Sequence, residues 1–316
     1  MAFVSSLFGI YFGVIMKILI SDGIEASALV MLKNAGFEVD DIKLTPEELL
    51  DKIANYDAII VRSATKVTRE VIDRGHLKAI ARGGVGLDNI DVAYAKEKGI
   101  PVLNTPGASS ISVAELAIAH MFAVSRFLNL SNTEMRQGKW PKKEYAKGIE
   151  LTGKTLGLLG LGNIGRETAK RAIGLGMTVV AFDPFIKEID MDVKLVTKDE
   201  LLAQADFISL HMPKIKGEPA ALGTPEFAKC KKGVIVINCA RGGVVDEKAL
   251  LAALEDGTVK YAGIDVFENE PVTEAQTALV NHPRVSVTPH IGASTLEAQE
   301  RVGAEIAQKV IDTLKK

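Results

Sequence analysis

Cysteine is nearly missing. The 316 residues hold two, Cys230 and Cys239, nine apart and in no paired-ligand spacing. Their scarcity excludes a disulfide framework and a thiolate metal site, and fits reduced thiols in a cytoplasmic protein with no metal. Any polybasic run is lacking too: 38 basic side chains against 40 acidic ones give a formal charge of −2, with no interleaved aromatic stripe. A nucleic-acid partner is therefore not expected. Long hydrophobic runs are also scarce. The first fifteen residues, MAFVSSLFGIYFGVI, carry no charge. They fall short of the roughly 20 apolar residues of a spanning helix, and they lack the basic start and cleavage site of a signal peptide. This leader is read as sequence upstream of a start at Met16, outside the fold, with a short hydrophobic contact arm as the alternative. No membrane partner is expected.

What is present is alternation. A chain of this length predicts two domains and a cleft between them. From Met16, short β-rich runs alternate with helical stretches: KILISD, ASALVMLKNAG, DAIIVRS, TREVIDRG, KAIARGG. A second series begins at Thr155, with TLGLLG, MTVVAF, ADFISL, GVIVIN, YAGIDVF and VSVTPH as its strands. Apolar strands without polar alternation predict doubly wound parallel sheets of α/β class, covered by helices on both faces. Thr45, Thr197 and Ser294, each followed three residues later by Glu, are the predicted helix caps. SVAELAIAHMFAVSRFLN, apolar nearly all round, predicts a buried helix at the domain junction. The first domain is expected to be discontinuous, residues 16–103 with 291–316, and the second to span 104–290.

The chemistry lies in the second series. Gly160, Gly162 and Gly165 form a GxGxxG after an apolar strand and at a helix start, the setting in which a backbone turn and helix N–H groups receive a pyrophosphate. Asp183 ends the next strand, eighteen residues beyond Gly165. A carboxylate there accepts ribose hydroxyls and repels a 2′-phosphate, which predicts NAD as cofactor. Arg241, Glu270 and His290 follow three further strands of the series. Each alone has an ordinary reading as a surface pair or loop charge. Together they can hold a carboxylate, orient an imidazole and trade a hydroxyl proton. Of the other histidines, His76, His120 and His282 sit in a loop, the apolar helix and a turn, whereas His211 in LHMP also ends a strand and is the rival to His290.

GLGNIGRE, FDPF, NCARGGVVDE, IDVFENEP and TPHIGAST occur in that order. With them the chain from Met16 on resembles the D-isomer-specific 2-hydroxyacid dehydrogenases. VRSATKVT, GKWPKKEY and HIGASTLEAQ are similar to the phosphoglycerate-oxidising branch of that family. The resemblance implies two Rossmann-like domains, the substrate domain flavodoxin-like, and a homodimer or higher homo-oligomer formed through the cofactor domain. It implies Arg241, Glu270 and His290 as catalytic groups, and Asp183 and Asp265 as acids facing adenosine ribose and nicotinamide. Asn163, Ile164, Cys239, Ala240 and Gly292 become contacts of NAD beside Arg241 and His290. Arg62, Ser63, Lys66, Arg82, Gly84, Val85 and Gly86 become substrate-side residues, with Arg62 on a phosphate and Lys66 or Arg82 in support, while Arg241 holds the carboxylate. The implied reaction is NAD-dependent oxidation of D-3-phosphoglycerate to 3-phosphohydroxypyruvate, the first step of phosphorylated serine biosynthesis. Hydroxypyruvate or glyoxylate reduction is the alternative, and an NAD-sensing corepressor-like protein the alternative of another class. The end of the chain soon after STLEAQ leads to the expectation that no regulatory domain follows.

Overall fold

Short apolar runs become parallel strands wherever helices cover both faces, and the chain does this twice. The structure, a computed structural model, describes residues 15–316, so all but Ile15 of the leader lies outside the described residues. Two compact units are formed, one ending at Ala108 and regained by Gln299–Lys316, the other Ser109–Ala298. The sequence predicts these two cuts at 103/104 and 290/291.

The first unit holds β1 (Lys17–Ile20), β2 (Glu38–Asp41), β3 (Ala58–Val61), β4 (Ala79–Arg82) and β5 (Val102–Asn104), all parallel, in the order β2-β1-β3-β4-β5. Alternation within each strand splits the core. Ile18, Ile20, Ala58, Ile60 and Ala79 meet Ile306, Ala307 and Val310 of the helix Leu296–Leu314, while Leu19, Ile59, Val61 and Ile80 meet Leu49, Val71 and Ile72. The C-terminal helix thus supplies one face of the first core.

The second unit adds β6 (Thr155–Leu159), β7 (Thr178–Phe182), β8 (Lys194–Leu195), β9 (Phe207–Leu210), β10 (Val234–Asn238), β11 (Val259–Ile264) and β12 (Val285–Val287). Its sheet, again parallel, runs β12-β11-β10-β9-β6-β7-β8. Strand order reverses between β6 and β9, and ligands of such sheets bind beyond the carboxyl ends at that point. Ser110–Ser125 forms a helix packed on β10, β11 and β12 and against the helix Asn163–Gly174.

Two local expectations need correction. The long apolar stretch is two helices, because Phe127 turns left-handed at φ 58° and Leu128–Arg136 starts anew with no buried residue. The last helix is capped one residue late: the Thr295 hydroxyl, not Ser294, accepts from the Ala298 N–H at 3.2 Å. Thr45 and Thr197 form the capping boxes that their spacing predicts. Among the described residues no single helix is long and apolar enough to cross a membrane.

Candidate active site

After β6 the chain turns at Gly160 with φ +95°. A Cβ there would lie 2.6 Å from the His211 carbonyl oxygen, and one on Gly165 would lie 2.4 Å from the Gly160 oxygen. Both positions therefore demand glycine. Above Gly162 nothing approaches within 4 Å, and the helix Asn163–Gly174 that it starts has no side-chain cap. An open backbone cradle at an uncapped helix start fits a pyrophosphate. Asn163 lies in the first turn, and half-buried Ile164 anchors it to the core. At the end of β7, Asp183 leans back on the turn: Oδ2 accepts from the Leu161 N–H and Oδ1 from the Phe185 N–H, both at 2.9 Å. Each oxygen keeps a second lone pair for a ribose hydroxyl.

β10 ends in Asn238, whose amide builds the next turn. Nδ2 donates to the Arg241 carbonyl at 3.0 Å and Oδ1 accepts from the Ala240 N–H at 3.1 Å. Arg241 Nη1 donates to the Ala240 carbonyl at 2.7 Å, so the guanidinium lies along its own turn. Gly242 seats the turn against the backbone after β11, where a Cβ would fall 1.8 Å from the Phe267 oxygen. Cys239 is buried in the core, and burial pushes its thiol well above the ordinary range. A thiol of that kind is a packing group, not a nucleophile.

Asp265, 1% exposed, follows β11 and organises the segment after β12. Its Oδ1 accepts from the Thr288 hydroxyl at 2.6 Å and the Ile291 N–H at 2.9 Å, and its Oδ2 from the Gly292 N–H at 2.9 Å. The Asp265 carbonyl accepts from the His290 N–H at 2.8 Å. Gly292 is further held by Ser112, whose hydroxyl donates to its carbonyl at 2.6 Å. These bonds hold His290 at φ +53°, a left-handed conformation that costs a non-glycine residue roughly 1–2 kcal/mol. There His290 Nδ1 meets Glu270 Oε2 at 2.6 Å, and Glu270 Oε1 accepts from the Phe267 N–H at 3.0 Å. Both side chains stay open, 45% and 36% exposed.

The rival is built differently. His211 pairs Nε2 with the Ser209 hydroxyl at 2.9 Å, while its Nδ1 is shut off from solvent with no partner among the described residues. Burial pushes its pKa down to about 3. His282 is also taken up locally, Nδ1 accepting from the Arg284 N–H at 3.1 Å, and His76 is exposed in its loop.

In the first unit, the turn after β3 carries Arg62, Ser63 and Lys66. Two residues that the sequence does not single out tie it down, Asn89 lying in the loop RGGVGLDNID whose resemblance is to substrate-side positions. Asp22 accepts from the Arg62 N–H at 2.7 Å, the Thr65 N–H at 3.0 Å and the Thr65 hydroxyl at 2.7 Å. Asn89 donates to the Arg62 and Thr65 carbonyls at 2.9 and 2.6 Å. An aspartate right after β1 and an asparagine in a turn were the available signals. Arg62 lines a small pocket with Gly23, Glu25 and Gly83, and among the described residues neither it nor Lys66 has a carboxylate partner. After β4, Gly84 at φ +148° closes on Arg82, where a Cβ would lie 2.3 Å from Nη1. The Asn104 amide donates to the Val85 carbonyl at 2.7 Å, setting the run into Gly86.

Comparison with known proteins matches the chain to a family. Residues 118–292 match the family model described as "D-isomer specific 2-hydroxyacid dehydrogenase, NAD binding domain". A hydroxypyruvate reductase of Thermotoga maritima is 50% identical over 292 residues, covering 92% of this chain and 95% of that protein. A D-3-phosphoglycerate dehydrogenase of Methanocaldococcus jannaschii is 46% identical over 305 residues, covering 95% of this chain and 58% of that longer protein. Among solved structures, a glyoxylate reductase from Paecilomyes thermophila aligns with a TM-score of 0.87 at 33% identity, over 96% of this chain and 97% of the other.

Proposed function

This chain belongs to the D-isomer specific 2-hydroxyacid dehydrogenase family, whose NAD binding domain it carries, and from that premise we propose that it oxidises D-3-phosphoglycerate to 3-phosphohydroxypyruvate. When bound, NAD supplies the hydride acceptor. His290 takes the proton of the 2-hydroxyl on Nε2 while Nδ1 stays on Glu270, whose carboxylate stabilises the imidazolium that forms. Arg241 holds the substrate carboxylate with its planar fork, and Arg62 with Lys66 receives the phosphate.

The observation that carries the phosphorylated substrate is the firmly tied turn after β3, whose two cations make no salt bridge among the described residues. A doubly charged, three-oxygen group suits it. The second reading, reduction of hydroxypyruvate, draws on the half-identical relative of that name that the chain covers almost end to end. Steady-state assays with NAD on D-3-phosphoglycerate and D-glycerate separate the two. The phosphorylated acid is expected to have the higher kcat/KM by tenfold or more, and preference for D-glycerate would replace the first reading by the second.

A further inference from the structure

His120 lies in the middle of the Ser110–Ser125 helix, 2% exposed, and takes no part in the chemistry above. A buried imidazole in an apolar helix is costly unless both nitrogens are satisfied. Here they are: Nδ1 is 3.0 Å from the Ser286 hydroxyl and Nε2 is 3.0 Å from the Thr288 hydroxyl. Room for the ring is made by Gly263 of β11, where a Cβ would come 2.6 Å from His120 Cβ.

The outer partners give this chain a direction. Asn129 Nδ2 donates to Ser286 Oγ at 2.8 Å, which leaves the Ser286 hydrogen for His120 Nδ1. At the other end the Thr288 hydroxyl donates to Asp265 Oδ1 at 2.6 Å, because an ionised carboxylate only accepts, so its oxygen must receive a hydrogen from His120 Nε2. One tautomer satisfies every link, the neutral ring with its proton on Nε2. Desolvation in the apolar helix holds the His120 pKa below its ordinary value, which agrees with a neutral ring. The same Asp265 receives the Ile291 and Gly292 N–H groups and so folds the turn on which His290 sits.

We propose that His120 is a positioning residue: as the neutral Nε2–H imidazole it turns the Thr288 hydroxyl onto Asp265 and thereby sets the turn that presents His290. This rests on the reading of His290 as the proton acceptor. Misplacing a reacting group by about an ångström can cost up to about a hundredfold in rate, and a loosened turn is a milder fault. His120→Phe and Thr288→Val are each expected to lower kcat about tenfold. Because both cut the same chain, the double variant is also expected to stand about tenfold below wild type. A hundredfold fall in the double variant, the product of two independent defects, would overturn the inference, as would unchanged kcat in both single variants. Nitrogen-15 histidine spectra of the wild-type protein at neutral pH give a readout apart from activity, and keep the idea testable if His120→Phe does not fold. They should show His120 as the Nε2–H tautomer, and an Nδ1–H or doubly protonated ring would contradict it. His290→Asn in the same assay keeps the two claims apart. Retained turnover there removes the premise, whereas lost turnover there with normal His120→Phe and Thr288→Val removes this inference alone.

Discussion

His211 follows β9 and His290 comes soon after β12, two carboxyl-terminal strand ends of one sheet. By sequence position they are equivalents. His211 turns inward, with one nitrogen on Ser209 and the other enclosed, and its pKa falls to about 3. Its backbone is what the site uses, since the Gly160 turn packs on its carbonyl. His290 is held outward in a left-handed conformation, exposed and paired with Glu270. A strand end supplies a location, and the partner and the solvent decide whether the group there can trade a proton at neutral pH. The largest expected effect tests this contrast directly. His290→Asn should lower kcat by about 10²–10⁴-fold while NAD affinity, read by fluorescence titration, changes little. His211→Asn should leave kcat within about threefold. Similar falls in both would break the comparison.

The contrast extends to the arginines. Arg241 donates to its own turn at Ala240, whereas Arg62 sits on a turn fastened by Asp22 and Asn89, and its guanidinium makes no salt bridge among the described residues. Arg62→Ala should raise the KM for D-3-phosphoglycerate by roughly ten- to a hundredfold, the loss of a charge-assisted bond. Slow turnover of D-glycerate should stay about the same. A parallel decline on both acids would mean that Arg62 holds the turn and not the phosphate.

The inward histidine has a thermodynamic signature of its own. An unfolded histidine titrates near 6.5, while His211 in the folded chain titrates at about 3. Between those values the unfolded state binds the extra proton, so this residue's contribution to stability declines as pH falls from 6.5 towards 3, by about 1.4 kcal/mol per pH unit. Above pH 6.5 the penalty is absent. Urea titrations at pH 7 and pH 5 should show the wild type losing roughly 2 kcal/mol more than His211→Gln across that interval. His120, whose pKa burial lowers, is present in both proteins and cancels in the difference. Equal losses would mean that the folded chain accommodates a charged His211.

How much of this was legible follows from where the information resides. Strands buried on both faces announced themselves, as in AIIV and VIVIN, because nothing but core explains such runs. β2, EVDD, went unseen: at the sheet edge only its backbone is needed, and it carries one apolar side chain. β8, two residues long at an edge of the other sheet, was missed for the same reason. The break at Phe127 has no glycine or proline to signal it. In the site, the glycine turn and Asp183 were readable because their spacing is local. Asp22, Asn89 and the Asp265 brace act between segments far apart in sequence, so residue type and position could hint at them but no local spacing could give their partners. His120 shows the same limit: alone it reads as a core histidine, and only Ser286 and Thr288, with Asn129 and Asp265 behind them, give it a direction.

Asp183 is the intermediate case, and its test has the smallest expected effect. Like His211 it is braced, taking the Leu161 and Phe185 N–H groups. Like His290 it stands at a strand end, after β7, with capacity left over. If the brace were its whole role, Asp183→Asn would weaken the turn, since the amide keeps one accepting oxygen for two N–H groups, and the loss would fall equally on NAD and NADP. If its charge selects the cofactor, the same variant relieves repulsion against a 2′-phosphate, worth about 1 kcal/mol for unit charges some 4 Å apart in water and more where water is excluded. The ratio of kcat/KM with NAD to that with NADP should therefore fall by about five- to tenfold in Asp183→Asn, chiefly through a gain with NADP. An unchanged ratio, with both cofactors weakened together, would place Asp183 beside His211 as a residue whose strand-end position serves the turn alone.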